Sequence, residues 1–395
     1  MRLDRLRQTR MELAKAALSI LVAFAILAED CPGQSPVQPD TSIPTAPPIR
    51  TTAPIRSDEQ VVFFTGLGIE SADRTHWKIS IHGWIFENEI NSPTRKLLLS
   101  TMKRAVIESI SNDSQGNDLN EALLERRLLA FLADNERSKT IAIQWGDRTV
   151  TAAPSEADGH FFASFTADGT EIERLRRKDR IDFRAALSDK DHRDFRGQIV
   201  LMQPSAVLVV SDIDDTIKVT EVRDKRAVLR NTFLRPYVAV EGIADRYRGW
   251  TENGAQIIYL SASPWQLYPE LHRFLVESQF PDSAMELKRV RFKDRSLAEL
   301  FASPEDYKLP KLRKLIEEQP GRPIVLVGDS GEKDPEIYGQ VARQYPDRIR
   351  KIFIRDVTND PVDSPRYQQA FRDVPQQCWR LFRSADELEP RFSTR

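Results

Sequence analysis

The second half of the chain alternates short apolar runs with stretches in which apolar residues recur at helical spacing. The apolar runs are short enough for buried strands and occupy residues 206–210, 256–260, 323–327 and 350–354. The helical patterns between them lie around residues 240–251, 265–276, 308–318 and 335–343. This alternation predicts an α/β fold with a doubly wound parallel sheet, on which the tail at residues 378–382 is expected to pack.

Residues 60 to about 200 have a different pattern, which is typical of strands. Residues 61–64 and 77–86 are rich in β-branched and aromatic side chains, and the second run alternates apolar and polar positions. Further strand signals fall at residues 140–145, 160–165, 180–187 and 198–202, and helical patterns fall at residues 95–110 and 119–133. We therefore predict a β-rich α+β accessory domain at residues 60–203, without a catalytic cluster, ahead of a catalytic domain at residues 204–395.

The first 59 residues resemble neither part. Basic residues among the first 15 precede an apolar run, so residues 1–28 have the layout of a signal peptide or an N-terminal anchor. Prolines recur among Ser, Thr and Gln in residues 29–59, a composition that predicts a disordered Pro-rich linker. We expect the protein to be exported, periplasmic or secreted, or to be held at a membrane through its N-terminus.

Composition excludes several classes of function. With a net charge of -1 and a pI near 6.6, the chain of 395 residues has no overall attraction to nucleic acid, which we do not expect as a partner. Cys31 and Cys378 and the five scattered histidines do not have the spacing of a zinc site. The basic run at residues 174–180 is interpreted as a solvated face, with contact to phospholipid headgroups as the alternative.

Carboxylates follow the first predicted strand of the second half directly. Asp212 and Asp214 lie two residues apart, so in an extended segment their side chains point the same way and can share one phosphate and one metal ion. With Thr216 they form the D-x-D-x-T signature of phosphotransferases that use an aspartate nucleophile. The pentapeptide alone is also compatible with a solvated acidic loop or a Ca²⁺-binding turn.

Other predicted strand and loop ends in this half carry suitable polar residues. Ser261 follows the second strand, where a hydroxyl ahead of a helix can bind a phosphate oxygen. Asp329 and Asp334 lie in a glycine-punctuated acidic loop that suits a hard divalent cation, and Lys308 can supply positive charge to a phosphoryl group. Each residue alone has an ordinary structural explanation, but their occurrence together predicts a site of phosphoryl transfer.

Four segments that contain or lie near these residues resemble the haloacid dehalogenase (HAD) superfamily. The sequences at residues 211–220, 230–236, 260–268 and 328–338 are similar to the actin-patch-protein type of phosphatidate phosphatase, a relative of the lipins. The resemblance covers residues 205–360 strongly and the region of Gly83 and Trp84 weakly. It implies a HAD-like fold and an Mg²⁺-dependent phosphatidate phosphatase that releases diacylglycerol and phosphate through an aspartyl-phosphate intermediate.

The resemblance also implies a role for each matched residue. Asp212 is expected to attack phosphorus. Asp214 is expected to protonate the leaving alkoxide and then to activate water, which requires a raised pKa. Lys308 is expected to neutralise charge, and Thr216 and Ser261 are expected to hold phosphate oxygens.

The same resemblance implies a set of ligands for Mg²⁺. The ion is expected to be held by the Asp212 carboxylate, the backbone carbonyl of Asp214 and the carboxylate of Asp329. Asp334 is expected to be either a further ligand or the partner that orients Lys308.

Two other functions remain open at this point. One is a phosphatase for soluble phosphomonoesters, and the other is a non-catalytic phosphatidate-binding module, which the presence of both Asp212 and Asp214 disfavours. A phospholipid substrate would be met at a membrane surface, where we expect apolar and basic residues near the strand ends to make contact: Trp265, Phe233, Arg226 and Arg230. The alternative is that the aromatic residues are core and the arginines form a solvated face.

Overall fold

The computed structural model describes residues 54–88, 92–110, 120–204, 206–290 and 304–392. The predicted signal peptide or anchor at residues 1–28 lies outside these ranges, as does the predicted linker up to residue 53. Within the described ranges, we find no helix with the length and apolar character needed to cross a membrane.

The first part of the described chain contains a sheet of nine strands, mostly antiparallel. The strand order is β1-β3-β2-β9-β8-β5-β6, and β4 and β7 also pair with β3. The bounds are β1 Glu59–Phe63, β2 Gly66–Glu70, β3 His76–Glu87, β4 Asp134–Asn135, β5 Ala142–Trp145, β6 Arg148–Thr151, β7 His160–Asp168, β8 Arg180–Ala186 and β9 Arg196–Met202. Alternation along β3 buries Trp77, Ile79 and Ile81, which is the period-two pattern that predicted this strand. The sequence pattern did not predict β2, β4 or β6.

The second part contains a six-stranded sheet in which every described pairing is parallel. The order is β12-β11-β10-β13-β14-β15, with bounds β10 Leu208–Ser211, β11 Gln256–Pro264, β12 Met285–Lys288, β13 Ile324–Asp329, β14 Ile349–Arg355 and β15 Trp379–Phe382. The α/β class is thus confirmed, and the predicted tail segment adds a strand at the sheet edge. The strand order reverses between β10 and β13, and in such sheets the carboxyl ends at this switch point border the ligand crevice.

Helices cover both faces of the parallel sheet. Within the described ranges the α-helices are α1 Pro93–Ile110, α2 Glu121–Phe131, α3 Gly169–Leu175, which packs on the first sheet, α4 Lys225–Leu229, α5 Ile243–Glu252, α6 Tyr268–Glu277, α7 Pro304–Glu317, α8 Asp334–Gln344 and α9 Pro365–Ala370, and a π-helical turn at Arg230–Leu234 follows α4. Side chains such as Val209 and Val325 share a core with α5 and α6, whereas Leu208 and Leu326 share the opposite core with α7 and α8. The strands are therefore apolar on both faces, which explains their continuous hydrophobic runs.

Helices α1 and α2, which the sequence placed in the accessory domain, share the first of these cores. Their side chains, for example Met102 and Leu128, belong to the same buried cluster as Phe233 and Trp265. Arg127 of α2 is buried and donates from Nη1 to the carbonyl oxygens of Thr232, at 2.7 Å, and of Arg235, at 2.8 Å. The predicted boundary between residues 203 and 204 stays a prediction, and apolar packing crosses it.

Candidate active site

Asp212 lies directly after β10, at the carboxyl edge of the parallel sheet. Its backbone N–H donates to the carbonyl of Val327 in β13 at 2.8 Å, so the chain is fixed as it leaves the strand. The side chain is 1% exposed. Its Oδ1 lies 2.8 Å from Lys308 Nζ, and its Oδ2 accepts a hydrogen bond from Thr216 Oγ1 at 3.2 Å. The structure thus brings together three of the predicted site residues.

Asp214 is held by four side chains. Its Oδ1 lies 2.7 Å from Lys218 Nζ and accepts from Thr220 Oγ1 at 2.8 Å. Its Oδ2 accepts from Ser263 Oγ at 2.8 Å and from Ser261 Oγ at 3.1 Å. The predicted residue Ser261 therefore contacts Asp214. The sequence reasoning missed Lys218, Thr220 and Ser263, although the spacing of two that links Ser263 to Ser261 on β11 is the same signal that linked the two aspartates.

The charge state of Asp214 differs from the expectation. Burial alone would raise the pKa of this carboxyl, but the Lys218 ammonium and hydrogen bonds from Lys218, Ser263 and Thr220 bring the pKa down to about 2. The prediction of a raised pKa is therefore wrong for this structure. It came from the role that the resemblance implied, and the sequence did not indicate a buried cation beside Asp214.

Asp215 shapes the loop that delivers Lys218 and Thr220. Its backbone has φ 52°, a left-handed conformation that few residues other than glycine adopt. Its carboxylate accepts three consecutive backbone N–H groups, from Thr220 at 2.8 Å, Glu221 at 2.8 Å and Val222 at 2.6 Å. The loop is thereby closed on the residue next to Asp214.

Lys308 lies in the N-terminal part of α7 and is fully buried. Its Nζ lies 2.8 Å from Asp212 Oδ1, 2.9 Å from Glu332 Oε2 and 2.8 Å from Asp334 Oδ1. Burial opposes the charged form, but the neighbouring carboxylates hold the pKa of Lys308 well above its ordinary value. The other oxygen of Asp334 accepts from the backbone N–H of Asp329 at 3.2 Å, so Asp334 is placed to orient Lys308.

Three carboxylates are arranged as a candidate metal site. Asp212, Asp329 and Glu332 each offer an oxygen, and these atoms lie within 4.8 Å of one another. Asp329 Oδ1 accepts from the backbone N–H of Gly331 at 2.6 Å, whereas Oδ2 is buried and receives no hydrogen bond from any described residue. Burial, followed by the neighbouring carboxylates, raises the pKa of Asp329. Burial also raises the pKa values of Asp212 and Glu332, against the opposing effect of Lys308.

This donor set fits a hard divalent cation. Several buried carboxylates surround the single ammonium of Lys308, so the cluster has excess negative charge that a divalent cation would balance. The sequence reasoning did not include Glu332, and its signal was its place in the acidic loop that contains Asp329 and Asp334. Among the described residues, the candidate group does not include Asp334.

Two aromatic residues that were expected to meet a membrane are buried. Trp265 is 3% exposed and its ring centroid lies 4.2 Å from that of Phe64. Phe233 is 0% exposed and packs against Phe131. The prediction that these side chains reach a bilayer is wrong, because both belong to the core shared by the two parts of the chain. Arg230 is also buried.

Comparison with known proteins shows which family this region is similar to. Residues 207–356 match the family model described as phosphatidate phosphatase APP1, catalytic domain. The predicted resemblance is confirmed for this segment. All of the predicted site residues, from Asp212 to Asp334, lie within the APP1-type segment.

Two curated relatives match a similar share of the chain. An uncharacterised protein of Schizosaccharomyces pombe is 35% identical over 176 residues, which are 44% of this chain and 29% of the relative. Phosphatidate phosphatase APP1 of Saccharomyces cerevisiae is 30% identical over 172 residues, which are 42% of this chain and 29% of the relative. The match thus spans less than a third of either relative.

Among solved structures, a siderophore interacting protein from Acinetobacter baumannii aligns over 73% of this chain and 84% of its own, at 9% identity and a TM-score of 0.15. This likeness carries no argument about fold or function.

Proposed function

We propose that the chain is an Mg²⁺-dependent phosphatidate phosphatase that hydrolyses phosphatidic acid to diacylglycerol and phosphate. The observation that carries the proposal is the position of Asp212, which lies against Lys308 and the acidic loop inside the APP1-type segment. The parallel sheet, with its switch point between β10 and β13, supports a HAD-like fold for this part.

The reaction is proposed to proceed in two displacements at phosphorus. An oxygen of Asp212 attacks phosphorus, the P–O bond to the glycerol oxygen breaks, and the leaving alkoxide takes a proton. Water then attacks the aspartyl-phosphate, the bond between Asp212 and phosphorus breaks, and phosphate leaves. Lys308 neutralises negative charge on Asp212 and on the transferring group throughout.

Asp214 has the position of the acid and base, but its resting charge fits only one of the two roles. With a pKa of about 2 it is ionised, which is the form that accepts a proton from the attacking water. Protonation of the alkoxide requires that Asp214 first gain a proton. Entry of a phosphate dianion beside Asp214 favours that gain, because negative charge nearby raises the pKa of a carboxyl.

The residues proposed to hold Mg²⁺ are Asp212 and Asp329 with the backbone carbonyl of Asp214, and Glu332 joins them on the geometry above. The bound ion would supply positive charge that reduces repulsion between the nucleophile and the phosphate. Asp334 is assigned to Lys308.

The test is phosphate release from phosphatidate and from a panel of soluble phosphomonoesters, with Mg²⁺ and with excess chelator. We expect phosphatidate to be turned over with the highest kcat/KM and only when Mg²⁺ is present. Preferential turnover of the soluble esters would instead identify the protein as a general phosphatase. Binding of phosphatidate without phosphate release would identify a non-catalytic module.

Export or anchoring through residues 1–28 is likewise proposed from the sequence pattern. Fusion of these residues to a reporter should direct the reporter out of the cytoplasm. A reporter that stays in the cytoplasm would contradict the proposal.

A further inference from the structure

A cavity of about 470 Å³ opens between α2 and α6. Its apolar wall includes Leu123 of α2, Phe274 of α6 and the ring of Tyr237. Arg126 and Arg273 line it as well, with side chains that are 55% and 45% exposed. The cavity therefore combines apolar surface with accessible guanidinium groups, a combination that suits an amphiphilic anion.

The segment at residues 236–238 joins this cavity to the active site. Tyr237 lines the cavity, and the Lys218 ammonium that holds Asp214 lies 4.8 Å from the centre of its ring. The next residue, Val238, is 58% exposed, and its carbonyl oxygen accepts from the backbone N–H of Val219 at 2.8 Å. An exposed apolar side chain thus follows a residue of the cavity, on a segment that is hydrogen-bonded to the loop that serves Asp214.

The charge around the cavity is locally positive. Arg126, Arg127 and Arg273 all pair with Glu270, at 3.0, 3.2 and 2.8 Å. Glu277 is the other acidic residue that lines the cavity. Three guanidinium groups therefore face two carboxylates, on a chain whose net charge is -1. An anionic bilayer surface attracts such a patch through each basic side chain near it.

We propose that this cavity and its rim, with Arg126, Arg273 and Val238, form the surface that docks on a bilayer containing anionic phospholipid. The choice of a bilayer as the partner rests on the proposed function, because phosphatidate keeps its acyl chains in a membrane. On this surface the arginines meet lipid phosphates and Val238 enters the apolar boundary. This surface replaces Trp265 and Phe233 as the expected site of membrane contact, because those two side chains are buried.

The test is cosedimentation of the full chain with vesicles of phosphatidylcholine alone, with added phosphatidate, or with added phosphatidylserine. The variant Arg126→Gln/Arg273→Gln is compared with Arg196→Gln/Arg372→Gln, which removes the same charge from two exposed ion-paired arginines on other elements. We expect the first variant to bind anionic vesicles roughly tenfold more weakly than wild type, and the second variant to bind like wild type. Equal loss in both variants would overturn the proposal.

A second variant tests whether vesicle binding can be lost without a change of fold. Val238→Asp removes no ion pair and replaces an exposed side chain, so we expect the melting curve by circular dichroism to stay near that of wild type and anionic vesicle binding to fall. Unchanged binding by Val238→Asp and by the double arginine variant would overturn the docking surface. Failure of the wild type to bind any anionic vesicle would overturn it as well.

The phosphate-release assay separates this inference from the proposed function. Binding to anionic vesicles that depends on these residues, without any turnover of phosphatidate, would overturn the proposed function and leave the docking surface standing. If the wild type turns over phosphatidate in vesicles, but substitution of these residues leaves vesicle binding unchanged, the docking surface alone would be overturned.

Discussion

Asp212 is buried beside Lys308 and among other carboxylates, and it is the proposed nucleophile. We expect Asp212→Asn to abolish phosphate release, because the amide fills the same volume but cannot attack phosphorus. The metal-free variant should unfold at the wild-type temperature or above it, since burial raises the pKa of Asp212 and the charged form is the costly one. Thermal unfolding by circular dichroism and phosphate release check both points. Turnover close to the wild-type rate would disprove the nucleophile assignment.

Asp215 is a residue of the signature motif to which the sequence reasoning gave no role. We expect Asp215→Gly, which allows the positive φ but removes the carboxylate, to lower kcat at least about tenfold, because Lys218 and Thr220 are then no longer fixed on Asp214. Asp215→Asn keeps one acceptor oxygen and should fall between glycine and wild type. Steady-state kinetics and melting temperatures check this. A loss of stability with unchanged kcat would show that Asp215 has a structural role only.

At the scale of elements, the acidic residues between the end of β13 and the first residue of α8 differ in their contacts. Glu332 belongs to the candidate metal group and also contacts Lys308, whereas Asp334 contacts Lys308 and lies outside that group. We expect Glu332→Gln to raise the Mg²⁺ concentration needed for half-maximal activity, since one anionic ligand is lost. The matched Asp334→Asn should lower kcat with little change in that concentration. Mg²⁺ titrations of phosphate release compare the two, and the reverse pattern would exchange the assignments.

The same cluster makes a prediction about pH. In the metal-free fold the pKa values of Asp212, Asp329 and Glu332 lie above their ordinary values, so these groups favour the folded state while protonated. That contribution is present below the unfolded pKa and is lost as pH rises through the folded pKa values. Mg²⁺ requires the ionised ligands, so the increase in melting temperature that it causes should be larger at about pH 8 than at about pH 5. Equal increases at both values would contradict the assignment of these carboxylates to the metal.

At the scale of the whole molecule, residues on both sides of the predicted domain boundary contribute to one apolar core. Phe64, Met102 and Leu128 lie in the same cluster as Phe233 and Trp265. We expect a chain of residues 204–395 to aggregate or to melt well below a chain of residues 54–395, because it exposes this apolar surface. Solubility, gel filtration and circular dichroism of the two chains make the comparison. A shorter chain that melts like the longer one would support the boundary between residues 203 and 204.

The sequence by itself determined four strands of the parallel sheet and the polar residues at their ends. Apolar runs placed β10, β11, β13 and β14 correctly, because a strand buried on both faces has few polar residues before its end. The end of such a run therefore located Asp212 and Asp214, and the motif around them gave the resemblance that the family model matches at residues 207–356. These properties depend on neighbours along the chain, which a single sequence displays.

Only the tertiary structure decided what depends on neighbours in space. The ammonium of Lys218 on Asp214 reversed the expected direction of its pKa, and Ser263 joined Ser261 on the same carboxylate. Trp265 follows Ser261 near the end of a strand, and this position suggested an exposed side chain. In the fold, the ring of Phe64 from the first sheet packs against it. Packing between residues far apart in the chain determines which side chains are buried. Burial and the neighbouring charges then determine the protonation of each site group. Neither burial nor protonation could therefore be predicted from the local sequence pattern.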